Sequence, residues 1–375
     1  MLILGIESSC DDTAVALVDC SPEGCFVVRE SAVSQIDLHK KYGGVVPELA
    51  GRAHAEKIVP LIEEVLKNQP RPDVIAVTAG PGLITGLIVG VEAARTLSMV
   101  WNVPIVAVNH IWGHSHSVEI QTDRDPDFHR DDNTVTTIEY PALALIVSGG
   151  HTELILMNSA NEYKKIGATR DDAAGECFDK VAKLLELEYP GGPKISELAK
   201  TGRTDAIDFP RPMLKDDNLE FSFSGLKTAA LYWLRDNKLA GTVIASDRRE
   251  RGNLWPTVMG LLRSFTPRND KPSVNDFCAS FEQAIVDVLV GKTLKAAKLY
   301  NPKTIILGGG VAANEKLRET LAHESQSIGH ELLIPNLKYC MDNAAMIAVA
   351  GYYQAQKKEF TDWRILNADP NWEIE

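Results

Sequence analysis

The opening residues MLILGIESSCDDTAVALV (1–18) place a polar bend between two short apolar runs, Leu2 to Ile6 and Thr13 to Val18. Apolar runs of this length, joined by a turn rich in Ser and Asp, predict two adjacent β-strands. The same layout returns in PALALIVSGGHTELILM (141–157), where Ser148-Gly149-Gly150-His151 forms the bend. A strand-turn-strand repeated in each half of the chain predicts an internal duplication.

The residues after the first repeat predict a parallel sheet. Asp73 to Thr78 reads as a strand that runs into a Gly-Pro-Gly loop, Gly86 to Val100 as a helix, and Pro104 to Val108 as the returning strand. A strand-loop-helix-strand unit of this kind builds parallel sheets with helices on their faces. Because the helix is almost entirely apolar, we expect it to be buried.

Composition predicts an ordinary globular protein. The chain has 375 residues, of which 45% are hydrophobic and 24% charged, and its length favours two lobes. No targeting peptide is evident and no window approaches 18 unbroken apolar residues, so we expect a cytoplasmic protein without a membrane span. The six cysteines show no CxxC spacing and predict reduced thiols.

The net charge of -12 argues against a protein that coats nucleic acid through bulk electrostatics. The most basic neighbourhood, residues 247–271, has six Lys or Arg against three acidic residues. It is either a local contact for nucleic acid or a solvated loop, and it lies in an enlarged loop over 237–273. A second polar stretch, 121–137, predicts an exposed insertion or a connection between lobes.

Two histidines, His110 and His114, stand four residues apart just after the strand that ends at Val108. Four helical steps of about 100° bring both imidazoles to one face, one turn apart, which suits two ligands of one metal ion. His116 lies about 200° round the helix from His114, so we interpret it as a bystander. A pair of surface or capping histidines is the alternative, and a third ligand is needed to decide.

The late glycine-rich turn adds a second candidate site. Thr304 to Leu307 reads as a strand that ends in Gly308-Gly309-Gly310, and Asn314 opens the next helix. A strand, a glycine turn and a helix N-terminus can cradle a nucleotide, but they have structural uses as well.

Sequence motifs over almost the whole chain closely resemble the tRNA threonylcarbamoyladenosine synthase family, called TsaD in bacteria. The matching segments are GIESSCDDTAVAL (5–17), HKKYGGVVPELAGRAH (39–54), TAGPGLITGLIVG (78–90), NHIWGH (109–114), LIVSGGHTELI (145–155), DDAAGECFDKVAKLL (171–185), YPGGP (189–193), FSFSGLKT (221–228), GGGVAANEKLR (308–318) and MDNAAMIA (341–348). Two places depart from the usual pattern. Trp112 stands where smaller or acidic residues are common, and Ser115-His116 replaces an apolar pair.

The resemblance implies the fold of actin, sugar kinases and the 70-kDa heat-shock chaperones, with two duplicated, ribonuclease H-like α/β lobes around a cleft. We expect lobes over 1–137 and 138–343, with residues 344–375 packing back on the first. The resemblance also implies that His110, His114 and Asp342 hold one divalent metal ion, most simply Fe²⁺ or else Zn²⁺.

The family's reaction moves a threonylcarbamoyl group from threonylcarbamoyl-AMP to N6 of the adenosine beside the anticodon, in tRNAs that read codons starting with A. Its substrate positions carry over to eight residues of this chain. They are Ile146, Val147, Ser148, Gly149, Gly150, Asp179, Gly192 and Asn314. The partners implied are tRNA and, in bacteria, the dimerising paralogue TsaB and the small ATPase TsaE.

Three other functions compete with this one. A metalloprotease of the HExxH kind needs a Glu beside its histidines, and the intervening residues here are Ile111, Trp112 and Gly113. A small-molecule kinase or ATPase of the same fold does not need paired histidines with Asp342. A scaffold that only binds nucleotide has no use for an open metal site.

Overall fold

The computed structural model describes residues 1–121, 136–237 and 272–374. The basic stretch 247–271 lies outside the described residues, as do all but the edges of the polar stretch 121–137 and of the loop 237–273.

The first lobe is built on a six-stranded sheet. Its strands are β1 (Leu2–Glu7), β2 (Asp12–Ser21), β3 (Gly24–Ser34), β4 (Val74–Gly80), β5 (Ile105–Asn109) and β6 (Ile120–Gln121). They lie in the order β5-β4-β1-β2-β3-β6, with β1 antiparallel to β2 and parallel to β4. The strands predicted from the apolar runs are confirmed, and β6 is a short addition at the edge.

The second lobe repeats this plan. Its strands are β7 (Ala142–Val147), β8 (Thr152–Ser159), β9 (Glu162–Ala168), β10 (Thr304–Gly308) and β11 (Glu331–Leu333), in the order β11-β10-β7-β8-β9. Strand β7 is antiparallel to β8 and parallel to β10, as β1 is to β2 and β4. The predicted duplication and the predicted α/β fold class are therefore confirmed.

Helices cover both faces of each sheet. They are α1 (Ile36–Lys40), α2 (Pro47–Leu66), α3 (Ile84–Trp101), α4 (His110–His116), α5 (Ala174–Leu184), α6 (Gly191–Ala199), α7 (Ser224–Asp236), α8 (Val274–Tyr300), α9 (Glu315–Ser327) and α10 (Ala344–Gln356). Helices α2 and α3 share a core with one face of the first sheet, and α5 to α9 share one with a face of the second.

The two inner helices are exchanged between the lobes. Helix α10 follows the second lobe in the chain, yet it packs on the free face of the first sheet, against β1, β2 and β4. Helix α4 follows the first sheet, yet Ile111 packs against residues of β7 and β10. Because α10 is enclosed by the first sheet and α4, its sequence is apolar on nearly every side. The lobe boundaries at 137 and 343 stay a prediction.

Close packing of α10 on the sheet depends on glycines. A Cβ at Gly5 would lie 2.1 Å from the carbonyl oxygen of Ala344, and one at Gly351 would lie 2.5 Å from the Cβ of Ala76. Both distances are far below van der Waals contact, so neither position admits a side chain unless the backbone moves.

The prediction that the apolar helix is buried was wrong for α3. Only 33% of its 18-residue window is buried, and Ile84, Ile88 and Val100 are exposed. By length and composition α3 is the one helix of the described chain that could cross a membrane, but in this fold it packs along α2 and the first sheet. Only the side of α3 that faces α2 and the first sheet contributes buried residues to the core.

The prediction that all six cysteines are reduced was also wrong. Cys20 and Cys25 face each other in the register of the β2–β3 hairpin, with Cα atoms 4.0 Å apart, and form a disulfide. A pairing set by strand register leaves no CxxC signature in the sequence. The remaining cysteines are free.

We predict that Gly5→Ala lowers the free energy of unfolding by about 1–3 kcal/mol, because the new methyl group forces β1 and α10 apart. Denaturant unfolding measures the change. Gly150→Ala is the matched control, since a Cβ there meets nothing within 4 Å and its φ is not positive. Equal stability of Gly5→Ala and the unchanged chain would contradict the packing described.

Candidate metal centre in the interlobe cleft

Helix α4 begins at the carboxyl end of β5, which points its first residue into the cleft. The side chain of Asn109 caps the helix by accepting a hydrogen bond of 2.9 Å from the amide of Ile111. The cap fixes where the first turn starts, so His110 and His114 leave one face of the helix, as their spacing predicts. Their ring centroids are 4.7 Å apart.

Asp342 reaches the same point from the turn that precedes α10. Its Oδ1 lies 3.1 Å from His114 Nε2 and 3.4 Å from His110 Nε2. One possible ligand atom from each of the three side chains lies within 4.8 Å of the others. Two imidazole nitrogens and one carboxylate in this arrangement fit a single metal ion.

Glu7 supports the site from behind and was missed by the sequence analysis. Its Oε2 lies 3.1 Å from His110 Nδ1 and accepts a hydrogen bond of 2.6 Å from Thr78. Its Oε1 accepts one of 2.5 Å from the amide of Ser9. A carboxylate on the far nitrogen of a histidine directs the near nitrogen at a metal. A lone Glu at a strand end gave no signal beyond its place in the polar turn.

The carboxylates of Glu7 and Asp342 favour a positive charge between them. Burial disfavours the charged imidazole of His110, but Asp342 and Glu7 outweigh burial and raise its pKa to about 10. Burial lowers the pKa of His114. The metal-free site therefore holds a proton between its carboxylates, a position that a metal ion takes by displacing that proton.

Two further carboxyl groups, Asp11 and Asp12, lie close enough to Asp342 to be affected by its charge. Burial raises the pKa of Asp11, and it raises that of Asp12 to about 7 against the hydrogen bond from Ser34; Asp342 raises both further. Both carboxyl groups therefore keep their protons to a higher pH than exposed ones do, and with its pKa at about 7 Asp12 is only partly ionised near neutral pH.

The predicted substrate turn lies beside the histidines. Ser148 Oγ accepts hydrogen bonds from the amides of Gly150 and His151, at 3.3 and 3.1 Å, and the His151 ring is centred 6.4 Å from that of His110. A Cβ on Gly149 or Gly150 would meet nothing within 4 Å. The turn thus presents open backbone to the cleft.

Ile146 and Val147, by contrast, have fully buried side chains on β7. Any ligand contact from them would come through the backbone. The triple-glycine turn packs against the backbone of His114 and Val147. A Cβ on Gly308 would lie 2.8 Å from the carbonyl oxygen of His114. A Cβ on Gly309, whose φ is +87°, would lie 2.4 Å from the carbonyl oxygen of Val147. These two glycines have a structural use.

Of the other three predicted substrate residues, Gly192 and Asn314 lie at helix starts, and Asp179 lies within α5 and contacts the start of α6. Asp179 accepts a hydrogen bond of 2.6 Å from the amide of Gly191, the first residue of α6, and Gly192 follows it. Asn314 caps α9 through the amide of Leu317 at 2.8 Å, and its amide group donates to Glu282 at 2.7 Å. Asp179 and Asn314 thus have local structural roles, and the role of all three residues toward a substrate stays a prediction.

Two duplicated α/β lobes, with a His, His and Asp cluster that could hold a metal ion where the lobes meet, define a protein of the actin and sugar-kinase fold. A family model described as TsaD, tRNA N6-adenosine threonylcarbamoyltransferase, matches residues 26–349. An enzyme of that name from Listeria innocua is 43% identical over all of this chain and 97% of its own length, and one from Bacillus cereus is 42% identical with the same coverage. The chain belongs to the TsaD family.

Solved structures agree on the fold. HypF of T. kodakarensis has a TM-score of 0.54 at 12% identity, covering 96% of this chain and 48% of that one. Full-length HypF in a phosphate- and nucleotide-bound form has a TM-score of 0.54 at 13% identity, covering 95% of this chain and 55% of that one. At these identities the likeness concerns the fold alone.

We predict that the purified chain holds one metal ion and that His114→Ala and Asp342→Ala each lose it, because either change removes one ligand of three. Elemental analysis under anaerobic conditions measures the metal and identifies it. His323→Ala, at an exposed histidine of α9, is the control and keeps the ion. Full occupancy in either ligand variant would show that the three residues do not form the site.

Proposed function

We propose that this chain transfers the threonylcarbamoyl group from threonylcarbamoyl-AMP to N6 of the adenosine beside the anticodon of tRNA, with one divalent ion, Fe²⁺ or Zn²⁺, at His110, His114 and Asp342. It would act in the cytoplasm, where its tRNA substrate is found. The observation that carries this proposal is the meeting of these three side chains, from both lobes, in a chain of this family.

The reaction requires an activated acyl group and a well-placed amine. The exocyclic nitrogen of adenine is a weak nucleophile, so the donor must supply activation and the protein must hold both reactants in register. The nitrogen attacks the carbamoyl carbon, the carbon–oxygen bond to phosphate breaks, AMP leaves, and the nitrogen loses a proton. A divalent ion at the site supplies Lewis-acid polarisation of carbonyl or carboxylate oxygens.

The chain's own groups support direct transfer without an acyl-enzyme. Burial, with Asp11 and Asp342, raises the pKa of the Cys10 thiol well above its usual range, so the thiolate is not formed near neutral pH. Within the described part of the chain, the only hydrogen-bond partners of Ser148 Oγ are two backbone amides, and no basic side chain activates it. Neither group is equipped as a covalent nucleophile.

We place the adenylate between the Ser148–Gly150 turn and the start of α9, with Asp179 and Gly192 at its ribose end. The open backbone at Gly149 and Gly150 supports this placement, because a phosphate can approach those amides closely. Asp179 would have to share its carboxylate between Gly191 and the ribose hydroxyls.

We predict that the chain, threonylcarbamoyl-AMP, tRNA, TsaB and TsaE together yield N6-threonylcarbamoyladenosine, and that His110→Ala abolishes the product by removing a ligand. Nucleoside analysis of digested tRNA by mass spectrometry measures it. His323→Ala is again the control. Phosphorylation of a small acid or sugar from ATP, with no tRNA product, would instead establish the kinase alternative, which no comparison favours.

The partner TsaB needs a docking surface, and the α2–α3 face supplies a candidate. This face consists of Val59, Ile84 and Ile88, which are 55%, 41% and 47% exposed. Helices α2 and α3 lie side by side, with Gly51 against Thr85. Large apolar side chains exposed on adjacent helices are a feature of protein interfaces.

We predict that Ile88→Glu weakens TsaB binding at least about 10-fold, because a charge in the centre of an apolar interface must be desolvated. Calorimetry and co-elution on size exclusion measure the complex. The matched control is Leu299→Glu, which changes another exposed apolar residue, 67% exposed, on α8 of the other lobe. Unchanged affinity of Ile88→Glu would move the interface elsewhere.

A further inference from the structure

His116 is not an idle neighbour of the ligand pair. It lies on the side of α4 away from the cleft and is fully buried. Its Nδ1 is 2.6 Å from Glu119 Oε2, and its Nε2 is 2.6 Å from the hydroxyl of Tyr163 on β9. Helix α4 is therefore bound to the second sheet through hydrogen bonds on its rear side.

A fourth residue closes the network from α10. The hydroxyl of Tyr353 donates a hydrogen bond of 2.8 Å to Glu119 Oε1, so both carboxylate oxygens of Glu119 are engaged. The Tyr163 hydroxyl also donates to the carbonyl of Ala160 at 2.6 Å. We call His116, Glu119, Tyr163 and Tyr353 the rear cluster. Its members come from α4, the turn after it, the second sheet and α10.

Stacked rings fix the same contacts. Trp112 lies on Tyr163 with centroids 4.9 Å apart and planes at 8°, and His116 stacks on Tyr353 at 4.8 Å and 30°. Trp112 also meets Trp372 of the C-terminal tail edge-on at 5.6 Å. Trp112 and His116 thus belong to one assembly that joins α4 to β9 and α10.

A short helix needs such external contacts. Helix α4 has seven residues, too few for its own hydrogen bonds to fix its orientation. Its front face carries His110 and His114, and their reach to Asp342 depends on the rotation and tilt of the helix. Buried polar networks whose groups are all engaged specify one geometry, whereas an apolar contact permits sliding.

We propose that the rear cluster is a positioning device: it sets the orientation of α4 between the lobes and thereby holds His110 and His114 at the distance from Asp342 that one metal ion requires. His116 is thus a positioning residue, joined to the site through the helix rather than through the ion. The inference rests on the metal site proposed above.

The test uses changes that remove one hydroxyl and keep the ring. Tyr163→Phe and Tyr353→Phe retain both stacks but lose the hydrogen bonds to His116 and Glu119. We expect each to raise the Kd for zinc, measured by competition with a chromophoric chelator, by about 10-fold. We also expect faster hydrogen exchange of the α4 amides, and a lower kcat for threonylcarbamoyl transfer with the KM for tRNA unchanged.

Tyr352→Phe is the matched control. Tyr352 is 5% exposed on the same helix, and its hydroxyl bonds Gln356 rather than the rear cluster. If the three Phe variants share one zinc affinity and one α4 exchange rate, the rear cluster merely fills the core and the inference is overturned. If the unchanged chain binds no zinc or iron, the proposed metal site fails. In that case, faster hydrogen exchange of the α4 amides in Tyr163→Phe would still show that the rear cluster positions the helix.

Discussion

The packing of α10 on the first sheet is the interaction on which the site depends. Asp342 lies two residues before this helix, and Asn343 caps the helix by accepting a hydrogen bond of 2.8 Å from the amide of Met346. The position of α10 on the sheet therefore determines the position of Asp342. The missing side chain at Gly5 lets the helix start approach β1, and the crossed partner α4 brings the histidines from the other direction. The exchanged helices thus bring the three side chains to one point.

Electrostatics completes what packing begins. Glu7 and Asp342 lie on either side of the His110 ring, one at each ring nitrogen. Both carboxylates are largely withdrawn from water, a costly arrangement unless a positive charge lies between them. In the metal-free chain, protonated His110 provides that charge. The site is thus organised around a cation before any substrate arrives.

The sequence predicted the strands, the duplication and the shared face of His110 and His114, because each depends on local periodicity. The sequence did not predict the features that depend on contacts between distant segments of the chain. The role of Glu7 depends on β1 pairing with β4, which in turn pairs with β5. The disulfide depends on hairpin register, and the rear cluster joins residues over 200 positions apart. Family resemblance, not spacing, supplied Asp342. The outer face of α3 was misjudged because composition does not show which side of a helix meets the core.

The crossed position of α10 has a consequence for biosynthesis. A ribosome releases the first sheet early, but the helix that covers its inner face begins at residue 344 of 375. Until residues 344–356 have been synthesised, the apolar residues of β1, β2 and β4 on that face lack their cover. We therefore expect the first sheet to reach its full packing only after α10 has been synthesised, and a nascent chain that stops before α10 to expose apolar surface that favours aggregation.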